Sequence, residues 1–339
     1  MNISEQITMR NEKEILAEAV NSLHNYTGIE AIVENGGLSN NAYINITGER
    51  FVVQVKSEIT RGNRGIVLMD LKNISRENDL PILLVTKYIP GGIAKEYVEE
   101  GVNCLDVAGN CNIRQNNLFL LIEGKRIGRM AKVNQPRAFR EAGIKLIFQF
   151  LVDPEKTQLP YRDLAGLASI SLGSVGMIMQ ELMDLNFILK TRQTKKLKNT
   201  KDLLNRWITA YHDELRPRLL KKQMRFINPD NYHRWKDIDL ARISGTAFWG
   251  GEPAANLLTG YLHPGTYTIY TDQSWHSFKE IELVPDENGK VEVLEMFWKM
   301  ETYKGVPPVL VYAELMSSGS DRNIETANLI FKNELQYLK

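Results

Sequence analysis

Between Lys190 and Arg206 the sequence carries Lys190, Arg192, Lys195, Lys196, Lys198, Lys201 and Arg206 against a single acid, Asp202. The whole chain has a net charge of only +1, so this block is a strong local excess. Its chemistry is the neutralisation of phosphates, with release of counterions and salt-dependent affinity. The competing reading is a solvated lysine loop. Just upstream, Ser174 and Gln180 can hydrogen-bond base edges, Met177 can give apolar contact, and Arg162 can meet a phosphate. The outward positions of that stretch, Gly173, Ser174, Gly176, Met177, Gln180 and Glu181, include no Arg or Lys. Modest sequence discrimination follows.

Those side chains need a scaffold, and the surrounding periodicity supplies one. Apolar residues at Leu159, Leu164, Ala165, Leu167, Ile170, Leu172, Val175, Ile178, Leu182 and Leu185 recur at helical spacing in two segments joined at Ala168 to Ser171. Ser171 is placed to cap the second helix, Asn186 to close it, and Phe187 to Lys190 to run extended. Ala138 to Val152 supplies a third amphipathic helix. The pattern resembles a winged helix, with the basic block as its wing and Ser171 at the DNA-facing helix start.

A second constellation lies near the N-terminus. Gln54-Val55-Lys56 follows a strand-turn-strand pattern, Ala42 to Ile46 and Phe51 to Val55, joined by Thr47-Gly48-Glu49-Arg50. Glu12 to Asn25 reads as a helix before it. Arg64 to Glu77 and Gly92 to Glu100 read as helices after it, interleaved with strands at 81–86, 103–107 and 118–123. This α/β segment resembles the restriction-endonuclease-like fold. The resemblance implies a site in which carboxylates hold a divalent metal and a lysine positions water. Lys56 stands in that site, but Gln54 and Asn41 stand where acids belong, leaving Glu30 as the remaining carboxylate. A degenerate scaffold is expected, with a metal-dependent nuclease directed to DNA as the alternative. Lys56, Arg61 and Arg64 would then be anion contacts or a solvated edge.

At 339 residues more than one core is required, since single cores rarely exceed roughly 250–300 residues. Expected domains are 1–133, 134–205 and 206–339, the first boundary lying near Asn134. No apolar run is long enough to span a bilayer, and the N-terminus is not that of a secretory signal, so a cytoplasmic location is expected. Cys104 and Cys111 suit buried apolar positions, and the five histidines lack ligand spacing, so no metal or other cofactor is expected. Asp106, before Gly109-Asn110, reads as an Asx-type turn rather than a catalytic acid. The five tryptophans read as core or interface.

Past the basic block, Leu203 to Lys222 reads as a long helix interrupted near Pro217, Glu252 to Thr259 as a helix, and 267–270, 279–284 and 291–294 as strands. Two helices, 309–317 and 323–338, end the chain, giving an α+β multidomain protein. The stretches ARISGTAFWGGEPAANLLTGYLHPGTYTIYTD, ELVPDENGKVEVLEMFW and PPVLVYAELMSSGSDRNIETANLIF resemble the AbiEi-type antitoxins of type IV toxin–antitoxin systems. The resemblance implies a non-enzymatic transcriptional autoregulator. Its winged helix would bind double-stranded DNA at its own promoter, and its C-terminal domain would counteract a nucleotidyltransferase-like toxin. A homodimer, which would set two winged helices on a pseudo-palindrome, is left open.

Overall fold

A computed structural model describes residues 3–35, 42–125, 136–191, 194–243, 246–299 and 303–339. The chain divides into two compact units, Met1–Val133 and Asn134–Lys339. Asn41, Arg192 and Asn134 lie outside the described residues.

The first unit is a seven-stranded sheet with helices. Its elements are α1 (Ile3–Thr27), β1 (Ala31–Asn35), β2 (Ala42–Ile46), β3 (Glu49–Lys56), α2 (Arg64–Asn78), β4 (Ile82–Thr86), α3 (Gly91–Glu99), β5 (Asn103–Asp106), β6 (Cys111–Gln115) and β7 (Leu118–Ile122). The strands lie in sequence order. β1, β2 and β3 are antiparallel, β3, β4 and β5 parallel, and β5, β6 and β7 antiparallel again. All five residues of β4 are buried, as a central parallel strand requires. Ile15, Leu16, Ala19 and Leu23 of α1 pack on Ile44, Phe51, Val53, Leu83 and Val85. Two strands, β1 and β6, have no counterpart in the sequence reading. Both are short, and β6 alternates Cys111 and Ile113 with Asn112 and Arg114, which leaves too few apolar positions to stand out in the chain.

The Asp106 turn has the chemistry anticipated for it. Asp106 is fully buried and accepts from the Asn110 backbone amide at 2.9 Å and its side chain at 2.8 Å. Gly109 holds φ +85°, and a Cβ there would stand 2.6 Å from the Tyr26 ring, so glycine is needed twice over. Burial raises the Asp106 carboxyl, opposed by the hydrogen bonds from Asn110, Ile89 and Ala108. Cys104 and Cys111 are free and buried.

The second unit begins with a short 3-10 turn (Arg137–Phe139), then α4 (Glu141–Val152), α5 (Tyr161–Ala168), α6 (Leu172–Asp184), and the hairpin β8 (Ile188–Lys190) and β9 (Lys195–Leu197). It continues with α7 (Thr200–Ala210), a π-helical turn (Tyr211–Leu215), α8 (Arg216–Leu219), β10 (Leu220–Phe226), α9 (Leu240–Ile243), β11 (Ala247–Gly250), α10 (Gly251–Thr259), β12 (Tyr267–Thr271), β13 (Leu283–Pro285), β14 (Val291–Glu295), α11 (Pro308–Met316) and α12 (Asp321–Glu334). The five-stranded sheet has the order β11-β12-β14-β10-β13.

Two expectations are corrected here. Leu220 to Lys222 is strand, not helix: α8 ends at Leu219, and β10 pairs with β14. Residues 275–281 form a 3-10 helix capped by Ser274, leaving only Leu283–Pro285 as strand. Trp207, Trp235 and Trp298 are buried, whereas Trp249 and Trp275 are half-buried. Trp207 joins α7 to α4: its ring stacks on Phe148 at 5.8 Å, and its Nε1 donates to the Ile144 carbonyl at 2.9 Å.

Candidate nucleic-acid interface

Ser171 caps α6, accepting from the Ser174 amide at 3.2 Å. Before it, Ser169 turns the chain with φ +53° at the end of α5; after it, Asn186 does so with φ +59°. Val175, Ile178, Met179 and Leu182 of α6 face the core. The opposite face is open: Leu172 is 53% and Met177 48% exposed, and Gly173 and Gln180 are exposed beside them. A Cβ built at Gly173 or Gly176 meets nothing within 4 Å. Glycine inside a helix costs roughly 1 kcal/mol relative to alanine, and no internal packing requires it at either position.

The polar readers on this face are held by neighbours on their own helix. Ser174 Oγ lies 2.8 Å from Ser171 Oγ, and Gln180 Nε2 donates to Asp184 at 2.9 Å. Glu181 is not an outward group, because it accepts the Ala138 amide and so fixes the 3-10 turn onto α6. The same turn delivers Arg137, whose Nη1 lies 2.8 Å from Met177 Sδ. Arg137 is therefore a cation on the open face of α6, which carries none of its own. Sequence reasoning passed over it because it lies forty positions from Met177; Pro136 before it, a helix-entry residue, was the available signal.

The basic block separates into exposed and structural members. Lys190, Lys196 and Lys198 are exposed, as is Arg162 on α5. Lys195 is half-buried and anchors the hairpin to the segment before α5. Its backbone amide donates to Gln158 at 3.1 Å, its carbonyl accepts from Thr157 Oγ1 at 2.9 Å, and its Nζ turns to the Leu159 carbonyl at 3.4 Å. That ammonium stands 5.1 Å from the Tyr161 ring centroid; burial, then the charge of Lys190, lowers its pKa. Arg206 on α7 is exposed, with its guanidinium lying 4.2 Å from the Phe139 ring centroid and 5.4 Å from that of Phe187.

In the first unit, Gln54 and Lys56 sit on β3, but Glu30 is not brought to them. Ala31 pairs with Ile46 and Ile46 with Glu49, which places Glu30 at the far end of β3. At ~3.3 Å per residue that is a separation on the order of 17 Å from Gln54. Lys56 instead stands 3.9 Å from Asp70 of α2, near Glu12 of α1, whose carboxyl is raised by burial against the opposing charge of Lys56. Among the described residues no group of three or more His, Cys, Asp or Glu could hold a metal ion.

Beyond the hairpin, two buried carboxylates organise the second unit. Glu314 accepts from Tyr211 and Tyr270, both at 2.8 Å, and from Arg216 Nε at 2.9 Å; Arg216 also reaches Glu292 at 2.6 Å. Burial pushes the Glu314 carboxyl up, but the charges of Arg216 and His212 and the hydrogen bonds from Arg216 and Tyr270 hold it at about 2. Glu252 accepts from Gly265, Arg322 and Asn323. The Ser320-Asp321-Arg322-Asn323 pattern, read from sequence as a helix cap, thus also tethers α12 to the loop before β12.

No helix among the described residues is long and apolar enough to cross a membrane. No curated protein and no solved structure matches the chain. The segment running from the second strand of the basic hairpin to the 3-10 turn Gln336–Leu338 does have relatives: residues 196–338 match the family described as transcriptional regulator, AbiEi antitoxin, type IV TA system.

Proposed function

We propose that the protein is a DNA-binding transcriptional autoregulator and antitoxin of a type IV toxin–antitoxin system, acting without catalysis. Residues 134–205 would be the winged helix that reads its own promoter. Residues 206–339 would be the antitoxin domain directed against a nucleotidyltransferase-like toxin. Residues 1–133 would be a restriction-endonuclease-like scaffold that has lost its acids. The order α1, antiparallel β1 to β3, α2, then β4 parallel to β3 supports that last assignment.

The observation that carries the DNA reading is the open face of α6. Its exposed Leu172 and Met177, its two glycines with empty space beside them, and Arg137 leave a bare helix surface with a cation at its edge. Glycine in such a place permits close approach of a backbone, including a phosphodiester. The exposed Lys190, Lys196 and Lys198 supply positive charge on the hairpin that follows. The nuclease alternative has less support, since Lys56 faces Glu12 and Asp70 while Glu30 lies at the other end of the strand.

The test is a paired assay in cells: reporter output from the promoter upstream of the gene, and survival on induction of the adjacent toxin gene. Arg137→Ala with Met177→Ala is expected to release repression while leaving protection intact. Loss of protection with repression unchanged would refute the division of labour.

A further inference from the structure

We propose that the second unit holds a binding site for a phosphorylated nucleoside, formed at one end of its five-stranded sheet and separate from the α6 face. A cavity of about 440 Å³ opens there, lined by Tyr232, Trp235 and Tyr267 with His233, His263 and Lys290, and closed by Pro229, Pro264 and Gly265. That volume suits a nucleotide-sized ligand, for which pockets of about 300–1,000 Å³ are usual.

Its composition selects the ligand. The lining holds three aromatic rings, three basic side chains and no carboxylate. Rings favour a flat π-system by stacking, and convergent bases with no acid favour an anion. The rings form a continuous set: Tyr232 to Tyr267 is 5.2 Å between centroids, Tyr267 to Trp249 is 6.1 Å, and Trp249 to Trp235 is 5.5 Å. Lys290 Nζ lies 5.8 Å from the Tyr232 centroid. A base against Tyr232, the half-buried ring backed by Tyr267, would therefore leave its phosphates within reach of the lysine and histidines.

The walls are held in place before any ligand arrives. Tyr267 Oη donates to the Tyr232 carbonyl at 2.5 Å, joining β12 to the 3-10 turn Pro229–Tyr232. The His263-Pro264-Gly265 loop is fastened by the Gly265 amide to Glu252 at 2.6 Å and by Arg322 Nη1 to the His263 carbonyl at 3.1 Å. Glu252 is 7% exposed and occupied by Arg322 and Asn323, so the carboxylate behind the loop is already paired. This lowers the ordering cost of binding.

Calorimetry on the full-length protein tests the site with ATP, GTP, CTP and UTP, with adenosine, with inorganic triphosphate, and with a ten-nucleotide single strand. Its reference is the doubly substituted His233→Gln, Lys290→Gln protein, whose changes fall on exposed side chains. At least one nucleotide is expected to bind, at least tenfold more tightly than adenosine or triphosphate alone, and to weaken about tenfold in the variant. Tighter binding of the single strand, equally sensitive to the variant, would assign the nucleoside to a nucleic-acid chain; comparable or weaker binding would assign it to a free nucleotide. Absence of binding by every nucleotide and by the strand would overturn the proposal. So would triphosphate binding as tightly as the nucleotides, or an unchanged affinity in the variant.

Discussion

Replacing Lys190, Lys196 and Lys198 together by Gln separates phosphate contact from solvation. All three side chains are exposed. Each phosphate contact contributes ~0.9 to the slope of log K against log salt. If all three meet phosphates, the slope falls in magnitude by about 2.7, which corresponds to roughly 170-fold weaker binding at about 0.15 M salt when the affinities are matched at about 1 M. Lys195 is the internal control. Its ammonium is turned to the Leu159 carbonyl and the Tyr161 ring, so Lys195→Gln should leave the slope within about 0.3 of wild type. The assay is fluorescence anisotropy with a labelled promoter duplex from 50 to 400 mM salt. An unchanged slope in the triple variant would show that the exposed lysines are only solvated. A loss of about one unit from Lys195→Gln alone would refute the assignment of that residue as an anchor.

Gly173→Ala with Gly176→Ala should raise stability by roughly 1 kcal/mol per site yet weaken promoter binding, because the added methyls meet no protein atom; urea unfolding and anisotropy on the same samples check it, and a stabilised variant that binds normally would remove the close-approach argument. For Glu314, a folded pKa near 2 against an ordinary 4.5 means stabilisation present above pH 4.5 and lost as pH falls toward 2. At ~1.36 kcal/mol per unit this amounts to about 3 kcal/mol. Glu314→Gln should therefore lower stability at pH 7 by about 3–5 kcal/mol, since Arg216 loses a buried partner, and should flatten the pH dependence of the urea midpoint between pH 5 and 3; parallel profiles would count against the assignment. The purified protein should not cleave duplex or branched DNA with Mg²⁺ or Mn²⁺, and cleavage abolished by Lys56→Ala would reverse that reading. A fragment starting at Arg206 should fail to fold, since Trp207 loses Phe148 and Ile144 at a cost of about 3–5 kcal/mol, whereas a fragment starting at Asn134 should fold; sharp unfolding of the shorter piece would show that the stacking is dispensable.

Local chemistry made several parts of this protein readable from the chain. The Ser171 cap, the α5 to α6 turn, the hairpin β2 to β3, the buried run of β4 and the Asp106 turn each depend on residues within a few positions of one another. Short-range spacing is what a sequence displays directly. The excess of lysine after α6 was equally plain, but its division was not: burial and partners thirty-four or more residues away distinguish Lys195 from Lys190, Lys196 and Lys198. Tertiary contact also brought Arg137 to Met177, withdrew Glu181 from the outward face, and separated Glu30 from Lys56 by the register of three antiparallel strands. Glu314 and Glu252 look in sequence like ordinary helix acids. Their importance arises because Tyr211, Tyr270, Arg216, Arg322 and Asn323 converge on them from distant elements. Pair energies of this kind depend on distance and dielectric in space, quantities that sequence separation does not encode.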